Sequence, residues 1–163
     1  MRRAAFALIA LALFWIAPAN AQIVALGGSN VRGYGVSRSE AFPARLEAML
    51  RARGKTWSVV NEGVSGQTTA GVLGRLGSTV PQGARIVVLV AGGNDLRFGG
   101  TLESVRANKR LIVERLAARG VRVIDATPQM YAALRRGMAQ ADRIHLTPEG
   151  HRWLAAQIAS QIR

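Results

Sequence analysis

A serine follows two glycines at the end of a short apolar stretch. Residues 23–35 read IVALGGSNVRGYG, a pattern that predicts a strand ending at Gly27 and Gly28, and then a glycine-rich loop before any helix starts. Because glycine leaves open space beside it, Ser29 could present both its hydroxyl and its own amide to a ligand. Taken alone, the segment favours an ordinary strand-to-helix turn in which Ser29 is only a polar or capping residue.

A base for that hydroxyl would have to be one of the two histidines. His145 follows Asp142 by three residues, which is close enough for the carboxylate to reach the imidazole ring and fix its tautomer. His151 lies about one turn into the last predicted helix and reads as a surface or packing residue. Asp95 and Asp125 are rival carboxylates for orienting the base, and each could equally be a loop or capping residue.

Acyl transfer also needs hydrogen-bond donors aimed at the oxyanion. Three groups are candidates: the Ser29 amide, the Gly63 amide after the second predicted strand, and the Asn94 side chain after the third. Each has a structural alternative, because Gly63 fits a turn glycine and Asn94 could hydrogen-bond its own loop. The alternatives become weaker when the segments are taken together, because all of them follow strands.

The elements that must position these groups alternate between strand and helix. After the first strand, strands are expected at residues 56–61, 85–91 and 121–126, and helices at residues 42–53, 69–78, 101–119, 129–137 and from residue 148 onward. This alternation predicts an α/β fold, a three-layer α/β/α sandwich around a central parallel sheet of four to five strands. In such sheets ligands bind at the carboxyl ends of the strands, where the strand order reverses.

Two of these elements carry specific expectations for the core. Residues 85–91 form the most continuous apolar run of any predicted strand, which suits a central strand covered by helices on both faces. The longest helix, residues 101–119, should face inward through four residues at helical spacing: Leu102, Val105, Ile112 and Leu116.

The first 21 residues have the three parts of a secretory signal peptide. Two arginines precede an apolar run over residues 4–17, and the small residues that follow predict cleavage after Ala21. The run is shorter than the roughly 20 residues that cross a bilayer as a helix, so we expect no stable membrane anchor. The remaining domain would be residues 22–163, in the periplasm or outside the cell.

Composition narrows the chemistry further. The chain has no cysteine and no His-Glu-x-x-His motif, so we expect no thiol nucleophile, no metal and no cofactor. The formal charge of +13 falls by two when the leader is removed, and it comes mostly from arginines spread over several helices. Because no tight basic run is interleaved with aromatic residues, we expect no specific nucleic-acid binding.

Four segments together resemble the four sequence blocks of the SGNH/GDSL hydrolases. In chain order they are Gly27-Gly28-Ser29-Asn30 with Gly33, Asn61-Glu62-Gly63-Val64-Ser65-Gly66, Gly92-Gly93-Asn94-Asp95 and Asp142-Arg143-Ile144-His145. The nearest branch is the small periplasmic thioesterase I/lysophospholipase L1-like esterases, usually called arylesterases. The resemblance spans nearly the whole of residues 22–163.

This resemblance implies a flavodoxin-like sheet and a role for each candidate residue. Ser29 would be the nucleophile, His145 the general base and Asp142 its partner. The oxyanion donors would be Ser29, Gly63 and Asn94.

Two features depart from the pattern of the family. Gly28 stands where the family usually has an aspartate, which is not one of the catalytic groups. Residues 128–141 are fewer than the stretch that commonly holds a fifth strand, so we expect a four-stranded core or a rudimentary fifth strand, and a more open cleft. The chain order Ser29, Asp142, His145 also matches the α/β-hydrolases, but Val31 stands where their Gly-x-Ser-x-Gly elbow needs its second glycine.

The sequence therefore predicts a serine esterase that acts on a small-molecule ester through an acyl-enzyme on Ser29, with activity that rises with pH through about 6 to 8. One alternative is a carbohydrate or cell-wall O-acetyl esterase. Another is a non-catalytic module that binds an acidic polymer through its arginine-rich surface. The sequence leaves the acyl chain length, the alcohol and the oligomeric state open.

Overall fold

The computed structural model describes residues 22–163, so the predicted signal peptide at residues 1–21 lies outside the described part of the chain. Four parallel strands form one sheet in the order β2-β1-β3-β4. They are β1 (Ile23–Gly27), β2 (Val59–Gly63), β3 (Ile86–Val90) and β4 (Arg122–Asp125).

Helices cover both faces of this sheet. In residues 22–163 they are α1 (Ser29–Arg32), α2 (Phe42–Ala52), α3 (Thr69–Thr79), α4 (Gly93–Arg97), α5 (Leu102–Ala117), α6 (Thr127–Arg135) and α7 (Pro148–Ala159). One hydrophobic cluster joins α2, α6 and α7 to one face of the sheet, and a second joins α3 and α5 to the other face. The three-layer α/β/α sandwich expected from the sequence is confirmed.

The central strands are apolar on both faces because both faces are covered. Ile23 and Ala25 of β1 belong to the cluster with α2 and α7, whereas Val24 and Leu26 belong to the cluster with α3 and α5. All five residues of β3 are buried as well. Burial of each valine, leucine or isoleucine among them stabilises the fold by about 1.5–3 kcal/mol relative to an exposed one. β3 is therefore a central strand, as its apolar run predicted.

The topology places a crevice between β1 and β3. The chain passes from β1 outward to β2 and then returns across β1 to β3, so the strand order reverses between these two central strands. They run in register, and Gly27 pairs with Val90 at their carboxyl ends. This is the position at which open parallel sheets bind ligands.

The second strand lies further along the chain than expected, at residues 59–63 instead of 56–61. Its register is set by parallel pairing with β1, in which Ile23 is opposite Val59 and Gly27 is opposite Gly63. β2 is an edge strand, so this pairing outweighs the β-branched residues that favoured an earlier start.

A one-turn helix begins at Ser29, where the sequence predicted a loop. The carbonyl of Gly28 accepts hydrogen bonds from the amides of Val31 and Arg32, both at 3.1 Å. Gly33 ends the helix at φ 86°, a conformation that glycine adopts without steric penalty. Ser29 therefore lies in the first turn of a helix, with its amide pointing out of the helix start.

Two helix expectations need correction. Leu102, expected on the inward stripe of α5, is 58% exposed, because it is the first residue of the helix and precedes the turns that pack on the sheet. Val105, Ile112 and Leu116 are buried as expected. Helix α6 begins at Thr127, earlier than expected, with a proline in its first turn where a missing amide is tolerated.

The segment between β4 and α7 contains α6 and one isolated antiparallel bridge, between Ala139 and Leu146. Within residues 22–163 the sheet has four strands, so the expected four-stranded core with at most a rudimentary fifth strand is confirmed. In the same part of the chain, none of the helices combines the length and the apolar character needed to cross a bilayer.

Candidate active site

The polar segments that follow β1, β2 and β3 meet at the carboxyl ends of these strands. Ser29 begins α1 directly after β1, and Asn94 lies in α4 after β3. The chain after β2 forms a turn over residues 64–67, in which the Gln67 amide donates to the Val64 carbonyl at 3.1 Å. Because β1 lies between β2 and β3, Ser29 is at the centre of this group.

Ser29, His145 and Asp142 form a continuous chain of hydrogen bonds. The Ser29 Oγ and the His145 Nε2 are 2.8 Å apart. On the other side of the imidazole ring, the His145 Nδ1 and the Asp142 Oδ2 are 2.5 Å apart. With Nδ1 protonated, Nε2 carries a lone pair toward the serine hydroxyl. This arrangement can deprotonate the hydroxyl as it attacks an electrophile.

Asp142 is held by its own loop as well as by the histidine ring. Its Oδ1 accepts from the amides of Ile144 at 2.9 Å and of His145 at 3.0 Å, so Oδ2 is left for the ring. The hydrogen bond from the His145 ring, followed by these two amides, holds the pKa of the Asp142 carboxyl well below its usual range. The carboxylate is therefore charged whenever an imidazolium needs stabilising.

Asn30 positions His145 and was not identified from the sequence. Its Oδ1 accepts from the Leu146 amide at 2.9 Å, and its Nδ2 donates to the Ile144 carbonyl at 3.0 Å. The Asn30 side chain thus spans the backbone on both sides of His145, and the residue is only 9% exposed. The signal available in the sequence was a polar residue directly after Ser29. Its burial is seen only in the structure.

Gln140 and Tyr34 complete the surroundings of the histidine. The backbone amide of Gln140 donates to the His145 carbonyl at 2.7 Å. The side-chain Nε2 of Gln140 donates to the carbonyls of Tyr34 at 2.9 Å and Leu146 at 2.8 Å. The Tyr34 ring packs on the His145 ring with 4.4 Å between centroids. The loop after α1 and the loop of His145 are therefore tied together.

Asn94 lines the same cleft as Ser29. Its Nδ2 donates one hydrogen to the Gln67 carbonyl at 3.0 Å, which leaves the second hydrogen of the amide group for a ligand. A Cβ on Gly28 would lie 3.0 Å from the same Nδ2, so this nitrogen is next to the residue that precedes Ser29. The Ser29 amide has no acceptor within residues 22–163.

Gly63 is not brought into this group. Its amide donates to the Asn61 Oδ1 at 3.0 Å, and a Cβ on Gly63 would lie 2.1 Å from the Arg32 amide nitrogen. The glycine is thus required by the close approach of β2 to α1, and its position does not support the role of oxyanion donor. The turn that does reach Asn94 contains Gly66, at φ 79°, whose amide has no acceptor within residues 22–163.

The two rival carboxylates are engaged elsewhere. Asp95 is buried and accepts from the Thr69 amide and hydroxyl, with which it joins α4 to the first turn of α3. Asp125 forms an ion pair with Lys109 at 2.9 Å and accepts from the Thr127 amide at 3.0 Å. Neither contacts His145, so Asp142 is the carboxylate that orients this histidine.

His151 is a core residue and is separate from the site. It is fully buried, and its Nδ1 accepts from the Phe42 amide at 3.2 Å. Its Nε2 has no hydrogen-bond partner among the described residues. Burial lowers the pKa of His151 to about 4, so the ring is neutral at ordinary pH. The packing interpretation is confirmed, and a surface position is wrong.

The serine opens into a cleft of about 220 Å³. Apolar residues form most of its walls: Val90, Ala91, Met130, Leu134 and Ile144. Asn94, Arg97 and Arg143 also line this cleft. The cleft can hold a small apolar group next to the hydroxyl. Residues 22–163 contain no cluster of three or more acidic or histidine side chains that could hold a metal ion.

The sequence profile of the GDSL-like Lipase/Acylhydrolase family matches residues 25–140, well over half of the chain. The chain belongs to this family. The resemblance to the SGNH/GDSL hydrolases is thus confirmed, although the matched region ends before Asp142 and His145. The hydrogen bonds described above are what join these two residues to the matched region.

Two relatives of this GDSL-like protein are esterases by name. Esterase TesA of Pseudomonas aeruginosa is 29% identical over 117 residues, which cover 71% of this chain and 58% of TesA. The solved structure of AlinE4, an esterase of the SGNH-hydrolase family, is 36% identical over 62% of this chain and 55% of that chain, with a TM-score of 0.58. The matched region therefore spans little more than half the length of either relative.

A solved structure of TesA supports the fold over a longer stretch. It superposes with a TM-score of 0.74 over 86% of this chain and 97% of that chain, at 24% identity. An acetyl xylan esterase, AlAXEase, superposes with a TM-score of 0.69 over 86% of this chain and 99% of that chain, at 15% identity. At these identities the likeness concerns the fold alone.

Proposed function

We propose that this GDSL-like protein is a serine esterase that hydrolyses short-chain carboxylic esters through an acyl-enzyme on Ser29. The observation that carries the proposal is the continuous chain from the Ser29 Oγ through both nitrogens of His145 to Asp142. A bound ester would place its carbonyl carbon at the serine and its acyl group in the apolar cleft. At about 220 Å³ the cleft is smaller than sites for drug-sized ligands, which favours a short acyl chain.

In the first half of the reaction His145 takes the proton of Ser29 at Nε2 while the Oγ bonds to the carbonyl carbon. The negative charge moves to the carbonyl oxygen, where the Ser29 amide and the Asn94 side chain donate to it. Asp142 stabilises the imidazolium that has formed. When the intermediate collapses, the bond from carbon to the alcohol oxygen breaks and His145 gives its proton to the departing alcohol.

The second half repeats these steps with water. His145 takes a proton from water, the hydroxide oxygen bonds to the acyl carbon, and the Ser29 Oγ leaves with the proton.

For a third oxyanion donor we propose the amide of Gly66 in place of that of Gly63. In support, the Gly66 amide lacks an acceptor in the described part of the chain and lies in the turn that contacts Asn94.

The deciding test compares the wild type with Ser29→Ala on 4-nitrophenyl acetate, butyrate and octanoate. We expect hydrolysis by the wild type to fall by roughly a thousandfold or more in the variant, because its nucleophile is lost. We expect the rate to decrease from butyrate to octanoate, because the cleft is small. Equal rates for the wild type and the variant on every ester would contradict the proposal.

The comparison of the wild type with Ser29→Ala, together with a salt titration, also tests the alternative of a non-catalytic module. Such a module would show no dependence on Ser29, and its binding to an acidic polymer would weaken steeply as salt is added. Hydrolysis of a neutral ester should hardly change with salt.

We also propose that the protein acts in the periplasm or outside the cell. This rests on the sequence of residues 1–21 and is tested by sequencing the amino terminus of the exported protein.

A further inference from the structure

A second cavity, larger than the acyl cleft, begins at the other end of the nucleophile helix. It measures about 850 Å³ and is lined by polar and charged residues, among them Arg32, Arg38 and Glu47, together with Tyr34. Ser29, at the start of α1, borders the acyl cleft, whereas Arg32, at the end of α1, borders this second cavity. The two cavities are therefore separated by a single helical turn.

Tyr34 connects the second cavity to the catalytic base of the proposed reaction. Its ring packs on the His145 ring, at 4.4 Å between centroids and an angle of 34°, and also lines the cavity. Tyr34 is 53% exposed, so its ring remains available to a ligand. Because His145 must give its proton to the departing alcohol, the alcohol lies on the side of this histidine. The acyl group and oxyanion lie on the side of Asn94.

The charge of the second cavity is positive and uncompensated. Arg32 and Arg38 are both exposed, and neither forms an ion pair within residues 22–163. The one carboxylate in the lining, Glu47, is already bound by the Val59 amide at 2.8 Å and by Arg51 at 2.7 Å. The Arg32 guanidinium donates one long hydrogen bond, to the Ser65 hydroxyl at 3.4 Å, and its other donors remain for a ligand. Two guanidinium groups without a carboxylate partner in one cavity favour a ligand that carries a carboxylate.

We propose that this cavity binds the alcohol part of the substrate, and that this part is an acidic carbohydrate. Its sugar ring would lie against Tyr34, and its carboxylate would bind Arg32 and Arg38. The inference rests on the proposed esterase function and specifies its substrate class. In the reaction, the bond between the acyl carbon and the sugar oxygen breaks, the sugar hydroxyl takes its proton from His145, and water supplies the oxygen of the released acid.

The test compares two acetylated oligosaccharides of equal length: O-acetylated oligogalacturonate, which carries carboxylates, and O-acetylated xylo-oligosaccharide, which is neutral. We expect kcat/KM for the acidic oligosaccharide to exceed that for the neutral one by about tenfold or more, mainly through KM. The double variant Arg32→Gln/Arg38→Gln should lose this preference. A matched control, Arg110→Gln/Arg115→Gln, removes two exposed charges from α5 on the opposite face and should keep it.

A binding measurement separates this inference from the proposed function. By calorimetry, the oligogalacturonate without acetyl groups should bind Ser29→Ala, and it should bind Ser29→Ala/Arg32→Gln/Arg38→Gln about tenfold more weakly. If 4-nitrophenyl acetate is hydrolysed but the acidic oligosaccharide is neither preferred nor bound, the inference fails and the esterase stands. If the sugar binds and no ester is hydrolysed, the esterase function fails. An equal loss in the Arg110/Arg115 control would reduce the effect to general charge attraction and overturn the inference.

Discussion

Asn30 holds the backbone on both sides of His145. The carboxamide accepts from the amide of the following residue, Leu146, and donates to the carbonyl of the preceding residue, Ile144. Since Asn30 is adjacent to Ser29, one buried side chain fixes the distance between the proposed nucleophile and base. The alignment of Ser29 Oγ with His145 Nε2 is therefore set by the backbone as well as by their own hydrogen bond.

Asn30→Asp should lower kcat by about 10- to 100-fold with little change in KM. The variant keeps the acceptor for the Leu146 amide but turns an oxygen toward the Ile144 carbonyl, which must shift away from it. Loss of one such buried hydrogen bond costs about 1–3 kcal/mol. Steady-state kinetics on 4-nitrophenyl butyrate give kcat and KM separately, and thermal unfolding serves as the control for folding. A variant that loses stability but keeps the wild-type kcat would show that Asn30 is purely structural.

Asp142→Asn should lower kcat by about a thousandfold or more and leave the fold intact. The amide oxygen can still accept from the Ile144 and His145 amides, so the loop keeps its shape. The new NH2 group, however, faces the His145 Nδ1 and favours the tautomer in which Nε2 is protonated and cannot accept the serine proton. Steady-state kinetics of the wild type and of Asp142→Asn measure the fall in kcat, and circular dichroism of both proteins checks that the fold is intact. Retention of more than a tenth of the wild-type kcat would contradict the role of Asp142.

Replacement of Asn94 tests whether its side chain stabilises negative charge. Asn94→Ala removes one donor and should lower kcat by about 100- to 1,000-fold. Asn94→Asp is nearly isosteric but places a carboxylate beside the oxyanion, so it should lower kcat further. The measurement is kcat for both variants on the same ester at neutral pH. If Asn94→Asp were the more active of the two, the group next to Asn94 would not be an oxyanion.

The sequence predicted the layers of the fold and most of the residues that meet at Ser29. Apolar continuity identified β3 as a central strand, because a strand covered by helices on both faces has no polar side. The spacing of Asp142 and His145 predicted their contact, since a turn of three residues closes on itself. Both patterns are local, and the structure preserves them.

The roles of Gly63 and Asn30 depend on contacts between distant segments. Gly63 is adjacent in sequence to the polar loop after β2, but its place against Arg32 follows from the pairing of β2 with β1. Asn30 contacts residues more than a hundred positions away. Neither the register of an edge strand nor such a contact leaves a periodic pattern in the sequence, so neither role could be assigned in advance.

His151 should make the fold sensitive to acid. Burial lowers its pKa from an ordinary value of 6.5 to about 4, although the nearby charge of Glu40 acts in the opposite direction. Below pH 6.5 the unfolded chain therefore takes up a proton that the folded chain does not, and stability is lost as the pH falls toward 4. Between about pH 7.5 and 5 the loss attributable to His151 should be about 2 kcal/mol in the free energy of unfolding.

Urea unfolding at these two pH values, for the wild type and His151→Leu, measures this contribution. The variant lacks the acceptor for the Phe42 amide and should be less stable than the wild type at neutral pH. Its stability should nevertheless change less between the two pH values, because the titrating group is gone. The Asp142 carboxyl, whose pKa is also lowered, does not interfere with this comparison. The stability that its charged form contributes is complete above the ordinary pKa of 3.8 and is lost only in stronger acid. An unchanged dependence on pH in His151→Leu would show that another group is responsible.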